Sequence, residues 1–412
     1  MKYGLLGKKL AHSFSKEIHE SFGDYTYELV EKAPDEVESF IKNGSFNALN
    51  VTIPYKETVM PFLDEISDNA QKIGSVNTIV RRNGRLLGFN TDYIGFSELL
   101  DKAGIDVENR VVAILGTGGT SKTAFAVCID KNAKEILKVS RKPSDDCISY
   151  SQLYDRREDI GVIINTTPCG MYPDNESSAV DIDRFENLQA VADVIYNPLN
   201  TPLLQKAQKR GLANCNGLYM LVSQAVAASE LFFDKKYPKR TVDTVYEKIL
   251  SSKQNIVLCG MPGSGKTTVG KILESKTGRT LVDTDEEIIK KIGMTISQYF
   301  EKFGERAFRD VETSVIKEVS KLSGIIVSTG GGAVLRKENV EWLKQNGVLY
   351  FLDRELSELV STPDRPTADS DEKMKKRYEE RYSIYLSCAD ETIKINRSPK
   401  EVAEEIMRRH EK

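Results

Sequence analysis

Short apolar runs recur along most of this chain, and stretches with helical spacing lie between many of them. Residues 3–6, 48–53, 111–115, 136–139, 162–165, 191–195, 256–259 and 325–329 each read as a strand, most of them as strands buried on both faces. Helical periodicity follows several of them: residues 121–129, the positions Val269, Ile272 and Leu273, and the set Met220, Leu221, Ala225, Ala228, Leu231 and Phe232. Strand, loop and helix repeating in this order predict an α/β chain.

One junction marks a new domain. The strand at 256–259 runs into Gly260-Met261-Pro262-Gly263-Ser264-Gly265-Lys266-Thr267-Thr268, which has the spacing G-x-x-x-x-G-K-T and opens a helix. Backbone N–H groups of Gly263, Ser264 and Gly265 can wrap a polyphosphate, with Lys266 as a point charge and the Thr267 hydroxyl placed for Mg²⁺. The phosphates also gain the N-terminus of the helix through Thr267 and Thr268. Such a loop follows the first strand of its own domain, so a second domain begins near Gln254.

Composition narrows the class without naming a reaction. The chain has 412 residues, 40% hydrophobic and 29% charged, enough for several globular domains. Net charge is −3 with no basic run, which disfavours nucleic acid or an anionic membrane as partner. No long apolar segment or signal peptide is apparent. Six scattered cysteines without C-x-x-C read as reduced packing residues of a cytoplasmic protein. With only three histidines, acid–base chemistry falls to Lys or Asp, and His12 reads as a packing or hydrogen-bonding residue.

The first hundred residues carry four polar motifs. Ser13-Phe14-Ser15 sets two hydroxyls where a helix starts, suited to a carboxylate, although Ser15 alone reads as a helix N-cap. Asn50-Val51-Thr52-Ile53-Pro54-Tyr55-Lys56 ends a strand, and Lys56 in isolation reads as a solvated lysine. Gly74-Ser75-Val76-Asn77-Thr78 and Gly88-Phe89-Asn90-Thr91-Asp92-Tyr93-Ile94-Gly95 complete the set. In this order the four motifs resemble shikimate dehydrogenase. The resemblance implies that Ser13 and Ser15 hold the substrate carboxylate, that Thr52, Asn77 and Asp92 bind ring hydroxyls, and that Lys56 and Asp92 form the catalytic pair. An ammonium group near a carbonyl being reduced both stabilises the developing oxyanion and can supply its proton.

The strand at 111–115 is followed by Gly116-Thr117-Gly118-Gly119-Thr120 and a helix, a glycine turn of the dinucleotide-binding kind. The next strand ends in Ser140-Arg141-Lys142, a hydroxyl and two cations suited to the 2′-phosphate of NADP. The plainer reading of both cations is solvated loop charge. The resemblance extends to 165–171 on the nicotinamide side, to Tyr196 and Gln224 on the substrate side, and to Gly217 near the nicotinamide. Tyr219 departs from it, standing where the family has a smaller residue.

In the second domain Asp283 and Asp285 flank one residue ahead of a helix. They can divide between the Mg²⁺ shell and the attacking hydroxyl, or Asp285 can cap the helix. Arg309 and Glu312 share a helical face, as surface pairs do. The strand at 325–329 ends in Ser328-Thr329 and Gly330-Gly331-Gly332, without the Asp-Glu of a motor ATPase. The set resembles shikimate kinase from about 254 onward. The resemblance implies Asp285, Arg309, Gly331 and Arg381 around shikimate, Arg365 in a lid over the phosphates, and Arg397 near the adenine. The lid segment around Arg365 is shorter and less apolar than the family's.

Together these readings give an α/β substrate-binding domain at 1–99 with return helices about 219–250, a Rossmann-like NADP domain at 100–218, and a P-loop small-molecule kinase domain with a parallel sheet at 254–412. A short polar linker lies near 248–254. The expected reactions are NADPH-dependent reduction of 3-dehydroshikimate to shikimate and its phosphorylation by ATP with Mg²⁺. Rival readings are an NAD-using quinate/shikimate dehydrogenase with an altered kinase half, and a regulatory sensor without turnover.

Overall fold

The computed structural model describes residues 2–10, 13–359 and 371–411, which leaves His12 and Arg365 outside the described residues. The chain divides into two compact units, Met1–Asn197 with Thr201–Tyr246, and Pro198–Asn200 with Glu247–Lys412.

The first unit contains two sheets. One is mixed: β1 (Tyr3–Gly7), β2 (Glu28–Glu31), β3 (Ala48–Val51), β4 (Glu65–Ile66), β5 (Thr78–Arg82) and β6 (Arg85–Phe89), in the order β2-β1-β3-β5-β6-β4. β1 runs parallel to β2 and β3, while β5 is antiparallel to both β3 and β6. Asn83 and Gly84 turn β5 into β6 with φ of 51° and 80°, as a two-residue hairpin whose twist matches its strands requires. β3 stops at Val51, two residues before the apolar run ends, and Ile53 is 74% exposed.

The other sheet holds β7 (Val111–Leu115), β8 (Glu135–Val139), β9 (Ile160–Asn165), β10 (Ala190–Asp193) and β11 (Ala213–Cys215), in the order β11-β10-β9-β7-β8. All its pairings are parallel, and apolar clusters cover both faces, which is why these strands read as unbroken hydrophobic runs. The order reverses at β7, so the crevice at the carboxyl ends of β7 and β9 is where such sheets take ligands.

Helices Asp92–Lys102 and Leu218–Phe233 pack closely in the first unit. Gly95 permits the approach: a Cβ there would stand 2.6 Å from the Met220 carbonyl oxygen. This contact also fixes Asp92, one turn earlier on the same helix.

The second unit has one parallel sheet, β12 (Asn255–Cys259), β13 (Leu281–Asp283), β14 (Ile326–Ser328), β15 (Gly347–Asp353) and β16 (Glu391–Lys394), in the order β13-β14-β12-β15-β16. Apolar clusters again lie on both faces. Most of the segment 248–254, expected to be a short polar linker, lies in the helix Thr241–Lys253. Val245 and Ile249, four apart on that helix, are both buried. Among the described residues no helix is long and apolar enough to cross a membrane.

Gly95→Ala should overpack the helix contact and cost about 1–3 kcal/mol. Urea titration of the first unit's unfolding should show a lower midpoint; an unchanged midpoint would contradict the close approach.

Candidate active sites

The motifs of the first sheet converge where β3 and β6 end and β5 begins. Lys56, five residues past β3, places Nζ 2.6 Å from Oδ2 of Asp92, the first residue of its helix. The two side chains are 16% and 10% exposed, so the pair is largely withdrawn from solvent screening. Asp92 also lies at a helix N-terminus, where the backbone dipole favours a carboxylate.

A buried polar network sets this geometry. Asn77 Oδ1 accepts from the Thr91 N–H at 2.7 Å and from the Thr78 hydroxyl at 3.0 Å. Its Nδ2 donates to Thr91 Oγ1 at 3.1 Å and to Gln224 Oε1 at 3.5 Å, linking β5, the Asp92 helix and the return helix. Behind it, Asn50 donates to Thr78 Oγ1 at 3.1 Å and accepts from the Tyr27 hydroxyl at 2.7 Å. Asn50, Thr78 and Thr91 were assigned no role from the sequence, although all three lie within the quoted motifs. A polar residue beside a buried strand end was the available signal.

Ser13 and Ser15 come together, their hydroxyl oxygens 3.1 Å apart. Ser15 does not cap its helix: it is the first helical residue, and its N–H donates to Ser13 Oγ at 3.2 Å. Tyr196 packs its ring against Phe14 with centroids 5.2 Å apart, and burial raises its phenol pKa. Thr52 follows β3 directly, and its N–H donates to Leu6 O at 2.9 Å.

The glycine turn after β7 opens a cleft of about 1690 Å³ lined by Gly116, Thr117, Gly118, Ser140, Arg141 and Lys142. Gly116 has φ of 105°, and a Cβ there would stand 2.9 Å from Thr166 Oγ1. The helix begins at Gly119, two residues earlier than the periodicity predicts, and includes Thr120. A Cβ on Gly119 would lie 3.9 Å from the Lys56 Cδ, so this turn reaches the Lys56–Asp92 ion pair. Exposed Ile53 forms an apolar wall of the same cleft. Gly217 precedes the return helix, and any Cβ would strike the Val194 carbonyl oxygen at 1.9 Å. Behind the strand ends, Asp193 accepts from Asn165, Thr201 and the Ile195 N–H, yet burial pushes its pKa up to about 7. The donors present suit a dinucleotide: glycine N–H groups for its pyrophosphate, Ser140 and two cations for a 2′-phosphate.

In the second unit, Lys266 Nζ rests on the carbonyl oxygens of Gly260 and Met261 at 2.9 and 3.0 Å. Thr267 donates to Asp283 Oδ2 at 3.1 Å. Asp283, not Asp285, caps the following helix, accepting from the Asp285 N–H at 3.0 Å. That leaves the Asp285 carboxylate to the glycine turn, where a Cβ on Gly330 would stand 2.6 Å from its Oδ1. A hydroxyl beside one carboxylate fits Mg²⁺, which takes few protein ligands and the rest from phosphates and water. Among the described residues no larger acidic, His or Cys cluster exists to hold a metal alone.

Arg309 and Glu312 are not a surface pair. They meet at 2.7 Å with 13% and 2% of their side chains exposed, and burial raises the Glu312 carboxyl pKa against the pull of Arg309. Spacing gives a shared face; it does not say that the face turns inward. The Arg309 guanidinium lies 2.2 Å from where a Cβ on Gly332 would stand, and Arg381 Nη1 donates to Gly331 O at 3.1 Å. Asp285, Arg309 and Arg381 therefore surround one glycine turn. Arg397, itself exposed, instead pairs with the largely buried Glu405.

Comparison with known proteins identifies the families. A family model for the shikimate dehydrogenase substrate binding domain matches residues 5–79, and one for shikimate kinase matches residues 262–411. The NADP(+) shikimate dehydrogenase of Clostridium perfringens strain SM101 is 38% identical over 265 residues, 60% of this chain and 97% of that protein. The chain belongs to the shikimate dehydrogenase family. The crystal structure of shikimate dehydrogenase 1 from Peptoclostridium difficile superposes with a TM-score of 0.55 at 36% identity, covering 60% of this chain and 98% of that one. A chorismate mutase/shikimate 5-dehydrogenase fusion protein from Clostridium acetobutylicum gives 0.57 at 39% identity, covering 60% and 96%. The chain thus joins a shikimate dehydrogenase to a shikimate kinase domain.

Arg141→Ala in the dehydrogenase half should raise KM for NADPH by roughly tenfold or more, the worth of a charged hydrogen bond, with little change for NADH. Equal effects on both cofactors would remove Arg141 from the 2′-phosphate.

Proposed function

We propose that one chain carries out consecutive reactions: NADPH-dependent reduction of 3-dehydroshikimate to shikimate, then transfer of the γ-phosphoryl group of ATP to the shikimate 3-hydroxyl. The observation that carries the reading is the withdrawn Lys56–Asp92 pair facing the glycine turn of the cofactor cleft.

In the first reaction NADPH, when bound, supplies the hydride. Ser13 and Ser15 hold the substrate carboxylate, and Thr52, Asn77, Asp92 and Gln224 take its ring hydroxyls, with Tyr196 beside them. Lys56 Nζ, aimed by Asp92, delivers a proton to the oxygen of the carbonyl being reduced. Gly116–Thr120 and Gly217 leave room for the dinucleotide, while Ser140, Arg141 and Lys142 receive its phosphate.

In the second reaction Mg²⁺, when bound, would offset the negative charge of the phosphates. Thr267 and Asp283 hold it; Gly263, Ser264, Gly265, Lys266 and Thr268 cradle the phosphates. Asp285 orients the attacking hydroxyl and accepts its proton, while Arg309, Arg381 and Gly331 position shikimate. Arg365 and Arg397 complete the nucleotide side in the family resemblance. A cytoplasmic setting suits six thiols with no disulfide.

Lys56→Ala should abolish the reductase and spare the kinase; Lys266→Ala should do the reverse. Each variant is assayed for both NADPH oxidation and ADP release. Loss of both activities from either change would defeat the two-site reading.

A further inference from the structure

β15 ends against the phosphate loop: a Cβ on Gly260 would stand 2.9 Å from the Leu352 carbonyl oxygen. Arg354 follows immediately, and its Nη1 donates to the Gly263 carbonyl at 3.4 Å. The Ile395 N–H donates to Asp353 O at 2.8 Å, so the chain leaving β16 runs alongside. The guanidinium therefore sits at the carboxyl ends of β12, β15 and β16, neighbours in a parallel sheet, where such sheets take ligands.

Its bonding there is weak for an arginine. The contact with Gly263 is long for a charged donor, and the ion contact from Nε to half-exposed Glu358 spans 3.8 Å. The Nε is buried and makes no hydrogen bond among the described residues. Lys266 shows a related arrangement, its ammonium resting on the carbonyls of Gly260 and Met261. Both cations lean on neutral oxygens of a loop shaped to wrap phosphates. A phosphate oxygen is a charged acceptor, whose bonds are about twice as strong, and the guanidinium fork can engage two such oxygens at once. Arg397, the other cation expected on this side, is held by Glu405.

We propose that Arg354 is a nucleotide-binding residue of the kinase half, its guanidinium passing from the Gly263 carbonyl onto the phosphates of ATP. The proposal rests on the kinase reading above. It assigns a phosphate-binding cation to the strand end itself, in a chain whose lid segment is short in sequence.

The test uses the full chain with Arg354→Ala and Arg354→Lys. A fluorescent ATP analogue is titrated, shikimate-dependent ADP release is measured at varied ATP and shikimate, and NADPH oxidation checks each preparation. Arg354→Ala should weaken the analogue and raise KM for ATP by roughly tenfold or more, with KM for shikimate held within about twofold. Arg354→Lys should recover part of the affinity, and the salt dependence of binding should flatten in Arg354→Ala. Unchanged analogue affinity in Arg354→Ala would overturn the proposal, as would parallel rises in KM for ATP and shikimate, the mark of a merely structural tie. Absence of shikimate-dependent ADP release in the unaltered chain would instead defeat the kinase reading, while analogue binding still judges Arg354.

Discussion

The pairing of Lys56 with Asp92 is the constraint on which the first unit depends. Withdrawing two opposite charges from water is costly, and the cost is offset only when the geometry is held firmly and the neighbouring polar atoms are satisfied. The structure meets both conditions. Asp92 begins a helix whose close seat on the return helix requires Gly95. The turn before it is bonded to Asn77, which is bonded in turn to Thr78 and Gln224. The same residues that hold the pair in place border the space in which a hydroxylated substrate would lie, so stability and positioning draw on one network.

The second unit solves a different problem with a similar device. Here the charges to be held belong to the ligand, and the protein presents cations and N–H groups at the ends of buried parallel strands. Lys266, Arg354 and Arg381 each donate to a backbone carbonyl beside these turns, and Arg309 pairs with the Glu312 carboxylate. Such preorganised cations need little rearrangement when an anion arrives.

Much of this was legible in the amino-acid order because parallel strands covered on both faces must be apolar throughout. Residues 111–115 and 256–259 stood out for that reason, and the glycine turns after them followed. The Asn83-Gly84 turn has a sequence signal that was not read, and in the helix over 241–253 polar residues masked two buried positions. Side-chain partnership was less readable. Spacing showed that Arg309 and Glu312 share a face but not that the face is buried, and two aspartates one residue apart did not reveal that Asp283 takes the capping role. Lys56 alone looked like a surface lysine; its meaning came from Asp92, distant in sequence and adjacent in space.

The central claim is that the product of one site is the substrate of the other. The most direct measurement supplies 3-dehydroshikimate, NADPH, ATP and Mg²⁺ to the full chain and follows NADPH oxidation and ADP release together. The account predicts ADP release that requires NADPH, follows its oxidation, and approaches one ADP per NADPH consumed. NADPH oxidation without ADP, or ADP release at the same rate when NADPH is omitted, would contradict it.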